Sequence, residues 1–168
     1  MTDHANDRRE GDGSGAATRH LGLDLGGTNV KWAVVERTGG TWQMLGHGQV
    51  RTPAAAGPEA VVETLSAVGR EAIAVWPGVV SVGIGVPGLY DPRTGTTRFI
   101  VNIPGRWAGR PVAAPVATAL GVPAAMINDA RAFGLAELRL GAGRGARSIV
   151  GLTLGTGVGG VIAIDGRV

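Results

Sequence analysis

Asp24 is the first residue along the chain whose surroundings suit chemistry, since it sits in the run Leu21 to Lys31, Leu-Gly-Leu-Asp-Leu-Gly-Gly-Thr-Asn-Val-Lys. Leu21, Leu23 and Leu25 alternate with Gly22, Asp24 and Gly26, so a strand here buries three leucines on one side and shows a single carboxylate on the other. Gly26-Gly27 then turns the chain with no Cβ in the way of a ligand, and the Thr28 hydroxyl and Lys31 ammonium follow at once. Such a hairpin offers N–H groups, a hydroxyl and a cation to phosphate oxygens, with a carboxylate nearby for Mg²⁺. The same residues also suit an ordinary hairpin with a surface Asp. Lys31 is the lone lysine among 16 basic residues, and a compact ammonium suits a phosphate beside a tight turn.

Three further places carry suitable groups. Asn128-Asp129 follows the apolar run Pro123 to Ile127, at the strand end where open α/β sheets place ligand-binding residues. Asn128 either caps the following helix or holds a substrate, while Asp129, ionised at neutral pH, can accept a hydrogen bond from an alcohol. A phosphoryl-transfer nucleophile loses its proton late, so a positioned Asp need not be a strong base. Asn102 is either a turn residue or a planar amide matched to a pair of sugar hydroxyls, and Gly88 closes a Gly-Val-Pro-Gly stretch whose backbone can approach a ligand. Gly155, Thr156 and Gly157 open a second glycine turn. Gly155, Gly157 and Gly160 have the spacing of a dinucleotide-binding turn, but Val161-Ile162-Ala163-Ile164 continues as a strand where that motif needs a helix. No Walker lysine follows these glycines either.

The elements that must position these groups are legible from spacing. Thr38-Gly39-Gly40 leads into a third strand near Trp42 to Val50, which makes an antiparallel meander. Pro58 starts a helix whose Val61, Leu65, Val68, Ala72 and Val75 form one apolar stripe up to Trp76. Val79 to Val86 is a buried strand running into a loop, Asp91 to Gly95 is a turn, and Thr96 to Val101 is β-prone. A short helix runs from about Pro115 to Gly121, a fourth buried strand covers Pro123 to Ile127, and Ala130 to Leu140 is helical, with Glu137 a solvated residue on it. Gly141 to Gly145 is a flexible break, and Ser148 to Ile164 is a strand, turn, strand unit like Leu21 to Val35. A β meander followed by alternating helices and strands implies an α/β mixed sheet flanked by helices.

Composition sets the limits. The 168 residues are 44% apolar and 17% charged, enough for a sizeable core. The best apolar run, Ala113 to Ile127, is broken by Pro115, Gly121 and Pro123, so no membrane span is expected. Residues 1–19 lack an apolar core and read as a disordered tail rather than a signal. The chain has no cysteine, its three histidines are scattered, and its net charge of +3 comes from arginines spread along the chain. Thiolate metal sites are thereby excluded within it, a nucleic-acid surface is not indicated, and a cytoplasmic location is expected.

Taken in order, Asp24-Leu25-Gly26-Gly27-Thr28-Asn29-Val30-Lys31, Gly85-Val86-Pro87-Gly88, Asn102-Ile103-Pro104-Gly105, Asn128-Asp129-Ala130 and Leu154-Gly155-Thr156-Gly157-Val158-Gly159-Gly160 resemble the ROK family of sugar kinases and repressors. The likeness is greatest to its bacterial glucokinases and runs from Leu21 to the end of the chain. It implies an actin-like, hexokinase-like ATPase fold (ribonuclease H-like) whose two domains close on ATP and a hexose, with glucose converted to glucose 6-phosphate. By position it implies Asp24 near Mg²⁺ through water, Gly26, Gly27, Thr28 and Lys31 as the first phosphate loop, and Gly155, Thr156 and Gly157 as the second. It places Gly88, Asn102, Asn128 and Asp129 around the sugar, with Asp129 as general base toward the 6-hydroxyl.

Two residues depart from the family's pattern: Arg131 stands where an Asn usually follows Asn-Asp-Ala, and Arg106 is inserted before Trp107. The family's Glu-x-x-x-Gly-His sugar motif, zinc motif and adenine pocket fall beyond Val168. The expectation is therefore a fragment: a tail at 1–19, an N-terminal domain at 20–147 and the first hairpin of a second domain at 148–168, with little kinase activity of its own. Structural Zn²⁺ is left open for a longer protein and is not bound by this chain, and a homo-oligomer is expected of the full-length protein. A sugar-responsive repressor of the same family would need a helix-turn-helix ahead of Leu21, for which 20 polar residues are too few. Other hexoses, namely fructose, N-acetylmannosamine and allose, stay open as acceptors. An actin-like or chaperone-like ATPase without a small acceptor is disfavoured by the paired loops at 85–88 and 102–105.

Overall fold

The computed structural model describes residues 16–154 and 158–168. It begins with the expected meander: β1 (Thr18–Leu25), β2 (Asn29–Thr38) and β3 (Thr41–Arg51) are antiparallel neighbours. To the other side of β1 the sheet continues in parallel through β4 (Val79–Val86) and then β7 (Ala124–Asn128), giving the order β3-β2-β1-β4-β7. Alternation decides what each face does. Leu21, Leu23 and Leu25 of β1, Val30 and Val34 of β2 and Val82, Ile84 and Val86 of β4 all fall on one face and are buried. The opposite face carries Gly22, Ala33, Gly83 and Gly85, residues too small to fill the space above them.

Helix α1 (Pro58–Val75) covers the leucine face with Val61, Leu65, Val68 and Ala72, as its 3.6-residue stripe requires. Helix α2 (Ala113–Leu120) adds Val116 to the same core and ends on Gly121, whose φ of 69° provides the left-handed cap. A single 3-10 turn at Ala54–Ala56 occupies the loop between β3 and α1.

The stretch after β4 differs from expectation. Only Pro87 separates β4 from β5 (Gly88–Asp91), which pairs with β6 (Thr96–Ile100) as a second, two-stranded sheet, so Gly88 starts a strand rather than lying in a loop. Four residues without clear alternation gave no strand signal of their own, and it is the cross-strand partner that makes them extended. Strand β7 is also less buried than expected, because it lies at the sheet's edge and only Met126 of its side chains is fully covered.

Helix α3 (Asp129–Arg139) leads to a third sheet, the antiparallel pair β8 (Ser148–Leu154) and β9 (Val158–Ile164). Val161 and Ala163 are the buried residues of this hairpin, and the Val161 side chain packs against Gly134 of α3. Gly141 to Gly145, read as a flexible break, is tied instead. The Ala142 N–H donates to Glu137 Oε2 at 2.9 Å and the Gly143 N–H to the Glu137 carbonyl at 3.1 Å, so Glu137 has a structural task beyond solvation. Among the described residues no helix is long and apolar enough to cross a membrane.

Candidate active site

One register row across the sheet assembles the centre of the site. Lys31 of β2 stands opposite Asp24 of β1, Asp24 pairs with Gly85 of β4, and Gly85 pairs with Ile127 of β7. Residues in one row point to one face, so Lys31 and Asp24 share the face paved with small residues. Gly85 keeps that row open: a Cβ there would stand 3.2 Å from Asp24 Oδ1. The row beyond brings Val86 beside Asn128, and the chain turns at once into α3 with Asp129 in its first turn.

The Asn128 amide is divided between two tasks. Its Oδ1 accepts from the Arg131 N–H at 3.2 Å and so caps α3, while its Nδ2 donates to the Gly88 carbonyl at 3.2 Å and to Asp129 Oδ1 at 3.0 Å. The Ala130 N–H adds a 2.8 Å bond to the same Asp129 oxygen. Asp129 is thereby anchored through Oδ1, and its Oδ2 has no hydrogen-bond partner among the described residues. A carboxylate held by one oxygen and open at the other is ready to receive an alcohol.

The glycine turn after β1 is closed by a Gly26 N–H to Asn29 carbonyl bond of 3.0 Å. Neither Gly26 nor Gly27 has positive φ, so proximity rather than backbone conformation calls for glycine here. A Cβ on Gly27 would come 2.8 Å from the Asn102 carbonyl oxygen, which shows that the loop bearing Asn102 rests on this turn. That loop is fixed from below by Trp107, buried, whose indole N–H donates to the Ile103 carbonyl at 3.0 Å. Asn102 itself takes φ of 64°, a left-handed conformation that Asn tolerates better than most side chains.

Asp24, Gly26, Gly27, Lys31, Gly88, Asn102 and Asp129 all line one cleft of about 1070 Å³. The cleft's far wall comes from α3 and from β8–β9, through Phe133, Thr153, Leu154, Val158 and Gly159. Thr28 does not line it. It borders an adjoining depression of about 540 Å³ together with Gly27, Arg51 and Thr52. Asn128, half-buried, does not line the cleft but holds Asp129, which does, and Gly155, Thr156 and Gly157 lie outside the described residues. Of the small residues of the floor, Gly22 was legible as the neighbour of Asp24 in the leucine alternation, whereas Ala33 and Gly83 were not singled out from sequence, although their places opposite the leucine face were readable from the same period.

Electrostatics ties the two carboxylates together. Asp24 opens into the cleft, yet the walls withdraw it from bulk water, and this burial raises its carboxyl above the ordinary value of 3.8. Lys31 pulls in the opposite direction, and the negative charge of Asp129 pushes Asp24 up again. Two carboxylates close enough to repel suit a cation that keeps water and phosphate among its ligands. Among the described residues no cluster of three or more His, Cys, Asp or Glu could hold a metal, but Mg²⁺ is commonly bound through one or two carboxylates plus substrate phosphates.

A mixed sheet opening with an antiparallel meander, helices on one face and a cleft on the other, define an actin-like ATPase fold of the hexokinase kind. The sequence profile of the ROK family matches residues 20–168, and the chain belongs to that family. A glucokinase of Streptomyces coelicolor is 35% identical over 147 residues, which are 88% of this chain and 44% of that protein. An N-acetyl-D-glucosamine kinase of Yersinia pseudotuberculosis is 32% identical over 149 residues, 89% of this chain and 47% of its own length. The crystal structure of a ROK family glucokinase from Streptomyces griseus in complex with glucose and AMPPNP superposes with a TM-score of 0.77 at 34% identity, over 90% of this chain and 46% of that one. The chain thus spans about half the length of the relatives it matches, and those relatives are sugar kinases.

Proposed function

We propose that this chain supplies the hexose-binding and first phosphate-binding parts of an ATP-dependent sugar kinase, with glucose as the acceptor. The observation that carries the reading is the convergence of Asp24, Asp129, Asn102 and the Gly26-Gly27 turn on one cleft. In this reading Asn102 and Asp129 bind sugar hydroxyls, with Asn128 and the Gly88 backbone holding Asp129 in place. The open oxygen of Asp129 takes the proton of the attacking hydroxyl as its oxygen forms a bond to the γ-phosphorus. The bond from that phosphorus to the departing oxygen breaks, and ADP leaves. Lys31 and the N–H groups of the turn stabilise phosphate charge, and Gly155, Thr156 and Gly157 form a second phosphate contact. Mg²⁺, held near Asp24 through water, would neutralise phosphate charge when bound.

Because relatives are roughly twice as long, the test reads binding rather than turnover. Titration of the folded chain with glucose, and separately with AMPPNP in MgCl₂, is expected to show saturable binding of both. Asp129→Ala is expected to weaken glucose about 10-fold or more, the loss of a hydrogen bond to a charged group, while AMPPNP affinity holds. A folded chain that binds neither ligand would sink the reading. The N-acetyl-D-glucosamine kinase likeness supplies a second acceptor, and N-acetyl-D-glucosamine binding more tightly than glucose would select it. A coupled ADP-release assay is expected to give little turnover from this chain alone.

A further inference from the structure

Thr52, the residue just past β3, is only 5% exposed, and it makes two bonds to the glycine turn. Its Oγ1 donates to the Gly26 carbonyl at 2.7 Å, and its backbone N–H donates to the Thr28 carbonyl at 2.9 Å. Together they hold the carbonyls on both sides of Gly27. In a trans peptide the carbonyl of one residue and the N–H of the next point in opposite directions. The bond to the Gly26 carbonyl therefore turns the Gly27 N–H to the side away from Thr52. Gly27 borders two spaces, the depression that Thr52 also borders and the cleft that Thr52 does not, so the side away from Thr52 is the cleft's. Among the described residues, moreover, the N–H groups of Gly27 and Thr28 have no hydrogen-bond acceptor. A backbone donor left without a partner and aimed at a cleft is what an anionic ligand needs.

We infer that Thr52 is a positioning residue for phosphate binding: its hydroxyl fixes the Gly26-Gly27 peptide plane so that the Gly27 N–H meets a polyphosphate oxygen. The inference rests on the phosphate-binding reading of the turn. The backbone bond from Thr52 survives any side-chain change, so the hydroxyl's contribution can be isolated. Valine keeps the shape and β-branching of threonine and removes the donor, whereas serine keeps the donor.

The chain and its Thr52→Val and Thr52→Ser variants would be titrated with AMPPNP in MgCl₂ and with glucose, and backbone amide exchange measured on the same samples at Gly26, whose N–H is bonded to the Asn29 carbonyl across the turn. Thr52→Val is expected to weaken AMPPNP about 5-fold to 10-fold, the worth of one hydrogen bond, and, by loosening the turn, to speed exchange at Gly26. Thr52→Ser is expected to restore both to within about 2-fold, and glucose affinity should hold in all three. Valine matching the parent for AMPPNP, serine failing to rescue, or an equal loss of glucose affinity would overturn the inference, the last because it marks a general packing defect. If the parent binds no AMPPNP, the phosphate-binding part of the proposed function fails instead. Exchange then decides alone: faster at Gly26 in Thr52→Val and restored in Thr52→Ser supports the positioning role, and unchanged exchange removes it.

Discussion

The five-stranded sheet and the β8–β9 hairpin contribute opposite walls to one cleft but are built very differently. The sheet's apolar face is sealed by α1 and α2, and Leu65 at the centre of that seal is 0% exposed. The hairpin packs one face on α3 through Val161 and Ala163, while Val150, Leu152, Leu154, Val158, Ile162 and Ile164 lie 61% to 81% exposed on the other. Six exposed apolar side chains on one face of a two-stranded ribbon are uncommon, and two strands alone are marginal in water. Half of the site therefore rests on a closed core. The other half rests on a hairpin covered on one face only.

This contrast makes the largest expected difference between two substitutions of the same type. Leu65→Ala should cost about 3 kcal/mol, because it empties a fully covered position, whereas Leu152→Ala on the open face should cost less than about 0.5 kcal/mol. Urea denaturation of both variants checks it. A cost at Leu152 as large as at Leu65 would mean that something covers the hairpin, and the comparison would break.

Next in size is a difference in opening. Amides of β8 and β9 should exchange through local opening at a free energy about 2 kcal/mol below that of β1 and β4, which sit in the middle of the sheet. Exchange of all four strands at a common free energy would instead make hairpin and sheet one cooperative unit. A third, smaller effect concerns association. Leu152→Lys should reduce binding of a hydrophobic dye and concentration-dependent association while moving the melting temperature by only a degree or two.

The same contrast separates what was legible in the sequence from what was not. Alternation in Leu21 to Leu25 and the stripe from Val61 to Ala72 exposed the sheet and its covering helix, because each element there buries one side against a partner within the chain. The cleft residues were legible for a related reason: Asp24 falls on the off-beat of a leucine alternation, and Asn128-Asp129 ends an apolar strand. Strand β5 was not legible, since its extension depends on pairing with β6 rather than on any local pattern. Thr52 escaped for a similar reason. Nothing near it in the chain announces that its hydroxyl will meet Gly26, a partner 26 residues earlier. Nor did the doubly apolar pattern of β8 and β9 reveal which face α3 would cover.

The smallest expected effect tests the polar side of the sheet and sharpens the comparison through pH. Asp24 has its carboxyl raised above 3.8 in the folded chain, by burial first and by Asp129, against the pull of Lys31. Between 3.8 and that raised value the folded state binds more protons than the unfolded one, so stability falls as pH rises through this window, and above it the whole penalty is present. Asp24→Asn removes the charge and keeps the shape. It should therefore melt slightly higher than the parent at pH 7, with the difference vanishing once the pH is well below 3.8. The hairpin brings no carboxylate to the cleft among the described residues, so this response comes from the sheet and from Asp129 at the start of α3. Melting temperatures of the two proteins across that pH range decide it. Were Asp24→Asn less stable at pH 7, attraction to Lys31 would outweigh burial, and the cleft face would be stabilised by its charges rather than strained by them.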